Sequence, residues 1–280
     1  MKGINDLQSS IKKIITNSCP ASVVKASVTA IYKYRALRYK ADMILHPQMM
    51  KYFCPCCGTK LRSFAQGTYS EYSDRFNPDR YNQTRQDVHC PVCRSLPRHR
   101  ILALWCEEHK ELLRSSKILY FAPERSMTQW MKRNSIACTT ADLYKEADLK
   151  LDIQATGLID GSYDIIICNH VLEHVDDFRM AMKEMYRVLH SGGLFICSFP
   201  MDSKVELLDE DLAISTDDER FQRYGQNDHK RVFGMKADQF LIDAGFAVTR
   251  IDGKDYPAEI LPVVGPADYD MNILFCCTKK

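Results

Sequence analysis

Apolar runs and helical periodicities alternate along the chain from residue 117 onward. The continuous apolar run Tyr163–Asn169 is typical of a central strand buried on both faces, and Phe178–Leu189 carries apolar residues at helical spacing before Gly192-Gly193. The predicted strands are Lys117–Phe121, Ala137–Asp142, Lys150–Ile153, Tyr163–Asn169, Leu194–Phe199, Phe246–Asp252 and Asn272–Thr278, and the predicted helices are Ser126–Arg133, Phe178–Leu189 and Lys236–Ala244. This alternation predicts a doubly wound α/β domain with a mainly parallel sheet and helices on both faces.

Two shorter regions precede this alternation. Residues 1–50 have the pattern of a basic helical segment, and residues 51–95 form a small module rich in cysteine. A helix is predicted after the module. Ser95 is the predicted N-cap of this helix, and Pro97 suits its first turn. The predicted organisation is therefore a helical segment at 1–50, a cysteine module at 51–95 and a main domain at 96–280.

The charge of the chain is unevenly spread. The 280 residues carry a net charge of +2, but nine lysines and arginines face two aspartates in residues 1–53, and eight face four acids in 54–100. This basic front suits an arm that contacts RNA, a protein partner or an anionic membrane surface, or a helix that packs on the main domain. No apolar run approaches the ~18 residues of a membrane span. The N-terminus lacks the apolar core of a signal peptide, so we expect a cytoplasmic protein.

Four of the twelve cysteines form two C-P-x-C pairs. Cys54 and Cys57 make the first pair, and Cys90 and Cys93 make the second. Each C-x-x-C turn brings two thiolates to one metal, and two such turns complete a tetrahedral site with four sulfur ligands. The sequence therefore predicts a structural Zn²⁺, because four protein thiolates leave no open position on the ion.

Neighbouring residues leave the ligand set of this module partly open. Gly58 suits the left-handed turn that follows such a pair, whereas Arg94 takes the matching place after the second pair. Cys56 and His89 remain alternative ligands. A basic run at 98–100 follows directly, and it fits either an anion site or a turn that pairs with acids of the main domain.

Two motifs within the alternating region carry a resemblance to a known family. Residues 161–175 read G-S-Y-D-I-I-I-C-N-H-V-L-E-H-V, and residues 186–194 read Y-R-V-L-H-S-G-G-L. In this order and separation they resemble the class I S-adenosylmethionine-dependent methyltransferases, of the methyltransferase type 11-like branch. The resemblance covers residues 115–280, and it implies a Rossmann-like methyltransferase sheet and S-adenosyl-L-methionine as cofactor.

The first turn of the domain departs from the common family pattern. Residues 121–124 read F-A-P-E where most members carry a glycine-rich loop. Together with C-P-V-C-R-S-L-P-R-H-R at 90–100, this turn resembles a subset of methyltransferases with an N-terminal zinc ribbon. Glycines let backbone approach a cofactor closely, so cofactor binding is expected to differ at this turn, with Glu124 placed to reach the cofactor's ammonium group.

The resemblance implies which residues hold the cofactor. Asp142 is expected to accept hydrogen bonds from the ribose hydroxyls, Asp152 and Ile153 to contact the adenine, and Asn169 with His170 to lie beside the methyl group. Both aspartates have a structural alternative, which is to cap a turn. The full set of expected cofactor contacts is Phe121, Ala122, Glu124, Asp142, Asp152, Ile153, Asn169 and His170.

The acceptor is not readable from these motifs. An oxygen acceptor usually needs a base, and His170 and His229 are the candidate catalytic residues; His174 has a structural role as its main alternative. The favoured hypothesis is a methyltransferase acting on a small molecule or a sugar or glycan intermediate. A second is an RNA methyltransferase that holds RNA with the zinc module and the basic front. A third is a non-catalytic zinc-binding interaction protein with a degenerate methyltransferase fold.

Overall fold

The computed structural model describes residues 34, 37–65, 89–260 and 272–280. The predictions for residues 1–33 and for the polar insert within 66–88 lie outside these ranges. The described strands are β1 Tyr52–Cys54, β2 Thr59–Leu61, β3 Ile118–Phe121, β4 Thr139–Ala141, β5 Tyr163–Asn169, β6 Leu189–Ser198, β7 Leu208–Glu210, β8 Arg231–Phe233, β9 Phe246–Asp252 and β10 Ile273–Lys279. The described helices are α1 Pro97–Glu108, α2 Lys110–Ser115, α3 Arg125–Arg133, α4 Phe178–Val188, α5 Asp217–Tyr224 and α6 Asp238–Asp243.

A mixed six-stranded sheet forms the centre, with the strand order β4-β3-β5-β6-β10-β9. The first four strands are parallel, whereas β10 runs antiparallel to both β6 and β9. The chain moves outward from β3 to β4 and then returns to the other side of β3 as β5. This reversal is the switch in strand order beside which ligands bind in doubly wound sheets. The predicted Rossmann-like fold is confirmed.

The strand register aligns the carboxyl ends of the central strands. Phe121 of β3 pairs with Cys168 of β5, and Cys168 pairs with Cys197 of β6. The residues that follow these three positions therefore emerge at one edge of the sheet, and they include Ala122 and Asn169.

The core lies on both faces of the sheet, because β5 is apolar at nearly every position. Ile166 and Cys168 belong to one buried cluster, together with Met182 and Met185 of α4. Ile165 and Ile167 alternate to the other face, as strand geometry requires. That face packs against Ile101 and Trp105 of α1, and it also includes Cys54, Leu61 and Phe64 of the cysteine module. The module and the sheet therefore share one core.

The predicted third strand, Lys150–Ile153, is wrong. Only Leu149 makes an isolated parallel bridge, to Ala141 at the end of β4. The chain then turns, because Asp152 Oδ1 accepts hydrogen bonds from the backbone N–H of Gln154 at 2.9 Å and from its side-chain amide at 3.0 Å. A side chain that bonds its own backbone two residues on favours a turn over an extended strand.

Two boundaries also differ from the predictions. Helix α4 ends at Val188 and strand β6 begins at Leu189, so Gly192-Gly193 lies inside the strand and does not end the helix. Ser95 does not cap α1, whose N-cap is Leu96; its Oγ lies 3.2 Å from Cys54 Sγ instead. Interactions with the cysteine module thus replace the predicted cap.

Residues 37–45 are helical, and part of their apolar side chains is exposed. Leu37 and Leu45 are largely exposed, whereas Tyr39 packs against the core cluster that contains the cysteine module. Within the described ranges, no helix combines the length and apolarity that crossing a bilayer requires.

The polar stretch between β6 and α6 folds against the carboxyl end of β5. Strands β7 and β8 pair antiparallel, with α5 between them. The side chain of Arg231 in β8 is 1% exposed; it ion-pairs with Glu210 at 2.6 Å and donates to the carbonyl oxygens of Leu172 at 2.8 Å and Val175 at 2.6 Å. This arginine therefore fastens the β7–β8 segment to the loop that follows β5.

Candidate functional site

The turn after β3 adopts the backbone shape that a glycine would favour. Ala122 has a φ of 46°, in the left-handed region, and its N–H donates to the carbonyl of Ala141 at 2.8 Å. This conformation costs a non-glycine residue roughly 1–2 kcal/mol. The turn geometry is therefore retained although the glycine is absent, and the bond to Ala141 at the end of β4 helps to hold it.

Glu124 is the centre of a buried hydrogen-bond network at this turn. Its Oε1 accepts from Arg98 Nε at 3.1 Å and from His99 Nε2 at 2.5 Å. Its Oε2 accepts from the hydroxyl of Tyr120 at 3.1 Å and from Asn169 Nδ2 at 3.5 Å. The carboxylate thus joins α1, which follows the cysteine module, to the ends of β3 and β5.

The protonation states of this network follow from its geometry. His99 Nδ1 accepts the backbone N–H of Leu96 at 2.9 Å, so the ring is neutral and carries its proton on Nε2 toward Glu124. Burial lowers the pKa of His99 accordingly. Burial alone would raise the pKa of Glu124, but His99 and Arg98 outweigh it and hold that pKa well below its usual range. The carboxylate is therefore ionised at neutral pH.

The basic run at 98–100 belongs to the interior of the fold. Arg98 and His99 pair with Glu124. Arg100 is fully buried; it donates to the carbonyl of Ile260 at 3.1 Å and stacks over the Phe64 ring at 4.0 Å. Of the two alternatives predicted for this run, pairing with an acid of the main domain is the one the structure contains.

The predicted ribose and adenine residues lie beyond the ends of β4 and its bridge partner. Asp142 is 8% exposed, and its Oδ1 accepts the backbone N–H groups of Tyr144 at 2.8 Å and Lys145 at 2.7 Å. Asp152 bonds Gln154 as described above, and Ile153 is buried. Both aspartates cap turns, and these turns place them at the same carboxyl edge as Ala122.

Asn169 and His170 complete this edge at the end of β5. Asn169 is buried and accepts from the hydroxyl of Ser198 at 3.0 Å, while its amide faces Glu124. His170 has a φ of 52° and continues the sheet by donating its N–H to the Ser198 carbonyl at 2.8 Å. A left-handed histidine is strained and is expected mainly where its side chain has a role.

Three histidines surround the carboxylate of Glu173, which is fully buried. Glu173 Oε1 lies 3.2 Å from His170 Nδ1, 3.8 Å from His174 Nε2 and 4.0 Å from His229 Nε2. His174 and His229 also stack edge to face, with ring centroids 4.7 Å apart. The two candidate catalytic histidines, far apart in sequence, are thus brought to one carboxylate.

The pKa values in this cluster are shifted in opposite senses. Burial alone would raise the pKa of Glu173, but His170, His174 and His229 lower it to about 2. Burial lowers the pKa of His229 to about 4, and it also lowers the pKa of His170. At neutral pH the cluster therefore combines an ionised Glu173 with neutral rings at His170 and His229.

The four paired cysteines also converge. One sulfur from each of Cys54, Cys57, Cys90 and Cys93 lies within 4.8 Å of the others. Two of the sulfur pairs, Cys54 with Cys93 and Cys57 with Cys90, are 3.7 Å apart. A tetrahedron with Zn–S bonds of about 2.3 Å has edges of about 3.8 Å, so the donor set fits a zinc ion.

The two cysteine turns have matching backbones. Gly58 has a φ of 68° and Arg94 a φ of 65°, and the N–H of each donates at 2.8 Å to the carbonyl of the first cysteine of its pair. Arg94 thus adopts the glycine-like conformation despite its side chain. Cys56 and His89, the alternative ligands, are not members of the four-sulfur group.

One family model matches the described geometry. Residues 124–197, from the turn after β3 to the end of β6, match the model of a methyltransferase domain. The match spans about a quarter of the chain. The resemblance to the class I S-adenosylmethionine-dependent methyltransferases is thereby confirmed. Helix α1 and the cysteine module pack against one face of the sheet in this region.

Several solved structures are similar to this chain at low sequence identity. An S-adenosylmethionine-dependent methyltransferase of Thermotoga maritima is 16% identical, with 65% of this chain and 88% of that chain covered and a TM-score of 0.41. A 1,6-didemethyltoxoflavin-N1-methyltransferase of Burkholderia thailandensis is 14% identical, with coverages of 65% and 79% and a TM-score of 0.44. A methyltransferase of Archaeoglobus fulgidus is 14% identical, with coverages of 65% and 94% and a TM-score of 0.44. No curated protein matches the chain.

The sequence predicted site residues along the carboxyl edge of the sheet but gave no indication of two features found there. It assigned no role to Glu173, although the spacing of three from His170 is a signal that both side chains share one side of a turn. It also missed that Arg98, His99 and Tyr120 converge on Glu124. The contacts of Arg98 and His99 with Glu124 link residues 25 or more positions apart, for which the sequence carries no local signal. Tyr120 lies only four positions before Glu124.

Proposed function

We propose that this chain transfers a methyl group from S-adenosylmethionine to an oxygen of a small hydroxylated molecule, such as a sugar or glycan intermediate. The observation that carries the proposal is the convergence of the Ala122 turn, Asp142 and Asn169-His170 at one carboxyl edge of a methyltransferase domain. The cofactor supplies an activated methyl group, so the protein's task is to position and desolvate the acceptor.

The cofactor residues are proposed from their places at this edge. Phe121 and Ala122 form the close turn, Asp142 accepts from the ribose hydroxyls, and Asp152 with Ile153 borders the adenine. Glu124 was expected to reach the cofactor's ammonium group. Since both of its oxygens already accept hydrogen bonds, we propose that it mainly orients Asn169 and the turn around the cofactor.

His170 is the proposed base for an oxygen acceptor. Its Nδ1 faces Glu173 Oε1 at 3.2 Å, and its Nε2 is buried without a hydrogen-bond partner among the described residues. A carboxylate on Nδ1 fixes the tautomer that leaves Nε2 as the proton acceptor. His229, the second candidate base, shares the same carboxylate at a longer distance.

The positions of the basic residues 98–100 favour a small acceptor over RNA. Arg98 is engaged by Glu124 and Arg100 is buried, so these two arginines do not form an open basic surface. The phosphate contacts of RNA binding need exposed cations. RNA methylation by way of the basic residues at 1–33 is the remaining second candidate.

Titration calorimetry with S-adenosylmethionine on the full chain tests the cofactor assignment. The wild type should bind, and Asp142→Asn should bind at least about tenfold more weakly, because it loses the charged acceptor of two ribose hydroxyls. Asparagine retains the oxygen that accepts from Tyr144 and Lys145, so the turn stays intact. Asp160→Asn removes an exposed carboxylate and is the matched control.

Two results would contradict the proposal. Absence of binding at millimolar cofactor would favour the non-catalytic interaction protein, and unchanged binding by Asp142→Asn would remove the ribose assignment. Label transfer from methyl-labelled cofactor into a panel of hydroxylated small molecules, compared with structured RNA, then decides the acceptor class.

A further inference from the structure

The His–Glu cluster behind the methyltransferase edge lacks the partners that its buried polar atoms need. Neither Glu173 Oε1 nor Oε2 accepts a hydrogen bond of good geometry within the described part of the chain, although the side chain is fully buried. The nearest ring nitrogen, His170 Nδ1, lies 3.2 Å from Oε1. His174 Nε2 and His229 Nε2 lie 3.8 and 4.0 Å from Oε1, beyond hydrogen-bond range. A buried ionised carboxylate held in this way is unfavourable unless a positive charge or hydrogen-bond donors compensate it.

The spacing and orientation of these groups suit a metal ion. One ligand atom from each of Glu173, His174 and His229 lies within 4.8 Å of the others. The ring of His174 is oriented by a contact on the side away from Glu173, because its Nδ1 lies 3.1 Å from the carbonyl oxygen of Asp228. A proton on Nδ1 donated to that carbonyl leaves the Nε2 lone pair for a cation, which is the usual arrangement of a metal-bound histidine.

The surrounding chain holds the cluster together. Lys230, the residue after His229, donates its backbone N–H to the carbonyl oxygen of Glu173 at 2.9 Å. Arg231, one residue further, fastens the same loop to the carbonyls that flank Glu173. The three groups therefore come from two segments that are locked to each other, as a preorganised site requires.

We propose that Glu173, His174 and His229 bind one divalent transition-metal ion, such as Zn²⁺ or Mn²⁺. Two imidazoles and one carboxylate favour such ions over Mg²⁺ or Ca²⁺, which prefer oxygen ligands. Three protein ligands leave at least one position open for water or for an oxygen of a bound ligand. His170 Nδ1 lies 3.2 Å from the ligating carboxylate, and with the ion bound it would serve as the outer donor that orients this ligand.

This site is distinct from the four-cysteine cluster and does not depend on methyl transfer. Its donors are nitrogen and oxygen instead of sulfur, and its open position contrasts with the closed Cys₄ set. The metal itself is therefore a sufficient probe, and S-adenosylmethionine is not needed in the test.

Metal stoichiometry of the full chain tests the proposal. Purified protein is stripped, reloaded with Zn²⁺ or Co²⁺ and dialysed, and bound metal is counted by mass spectrometry. The wild type should retain two equivalents, Glu173→Gln and His229→Gln one, and Cys90→Ser the other one. With Co²⁺, the equivalent that survives Cys90→Ser should show ligand-field bands without thiolate charge transfer.

Graded variants separate ligation from folding. His170→Gln should weaken the second equivalent by about 10–100-fold, as expected for loss of an outer hydrogen bond, whereas removal of a ligand should weaken it further. His46→Gln removes an exposed histidine and should change nothing. Retention of the cysteine-bound equivalent and of the circular dichroism spectrum shows that each variant is folded. One equivalent in the wild type, or two in a folded Glu173→Gln, would overturn the site.

Discussion

His99 illustrates how a single buried side chain connects the start of helix α1 to the turn after β3. It accepts from the backbone of Leu96 and donates to Glu124, so it stands between the cysteine module and the turn after β3. The neutral ring has no place for a second proton, because Nδ1 already faces an N–H donor.

This arrangement predicts a dependence of stability on pH. Burial lowers the pKa of His99, so below about pH 6.5 the unfolded chain binds a proton that the folded chain does not. The free energy of unfolding should therefore fall on acidification, by up to about 1.4 kcal/mol per pH unit from this group. Urea unfolding between about pH 7 and about pH 5 measures the slope.

The slope should be shallower in His99→Gln, whose amide can make both hydrogen bonds without titrating. His46→Gln, which removes an exposed histidine, is the control. Equal slopes in the wild type and His99→Gln would contradict the assignment of a neutral ring.

At the scale of elements, the β7–β8 segment depends on one arginine. The Arg231 guanidinium pairs with Glu210 and donates to carbonyls of the loop after β5, including that of Asp176 at 3.0 Å. These carbonyl oxygens lie in the loop after β5, outside any strand pairing, so they need hydrogen-bond donors from other segments. The arginine provides them and places His229 beside Glu173.

Arg231→Met should therefore be strongly destabilising. It leaves Glu210 without its partner and the loop carbonyls without donors, and the expected loss is about 3–5 kcal/mol in the free energy of unfolding. The measurement is urea unfolding, with hydrogen exchange to locate the loosened amides between Leu172 and Asp176.

The matched control is Lys236→Met, which breaks an ion pair with Glu206 in which both side chains are more than 70% exposed. A surface pair of this kind contributes about 0–1 kcal/mol. A loss for Arg231→Met no larger than this control would show that the segment is held by other contacts.

At the scale of the whole molecule, the cysteine module and the central sheet share one buried core and several hydrogen bonds. The module shares a buried cluster with α1 and β3, and Arg133 of α3 donates to the carbonyl of Cys56. Phe53 in β1 donates its N–H to the carbonyl of Glu259 at 2.9 Å, after β9. The module is thus tied to both flanks of the sheet.

Removal of the Zn²⁺ that we predict at the four cysteines should consequently destabilise the entire chain. Cys90→Ser, or chelation of the wild type, is expected to lower the melting temperature by several degrees in a single transition, because loss of the Cys₄ ion exposes core shared with the sheet. Cys56→Ser is the control, since it alters a buried cysteine outside the four-sulfur group and should keep the metal. A separate early transition for the module, or loss of metal in Cys56→Ser, would contradict this account.

The sequence by itself determined the features that local chemistry specifies. The apolar run of β5, the periodicity of α4 and the paired C-P-x-C turns each carry their own signal, and the motif at 161–175 carries the resemblance to methyltransferases. Tertiary structure decided the rest, because it depends on contacts between distant segments. The turn at Asp152 replaced a strand through a side-chain bond, and Glu124 and Glu173 acquired their partners only when α1 and the β7–β8 segment packed onto the sheet.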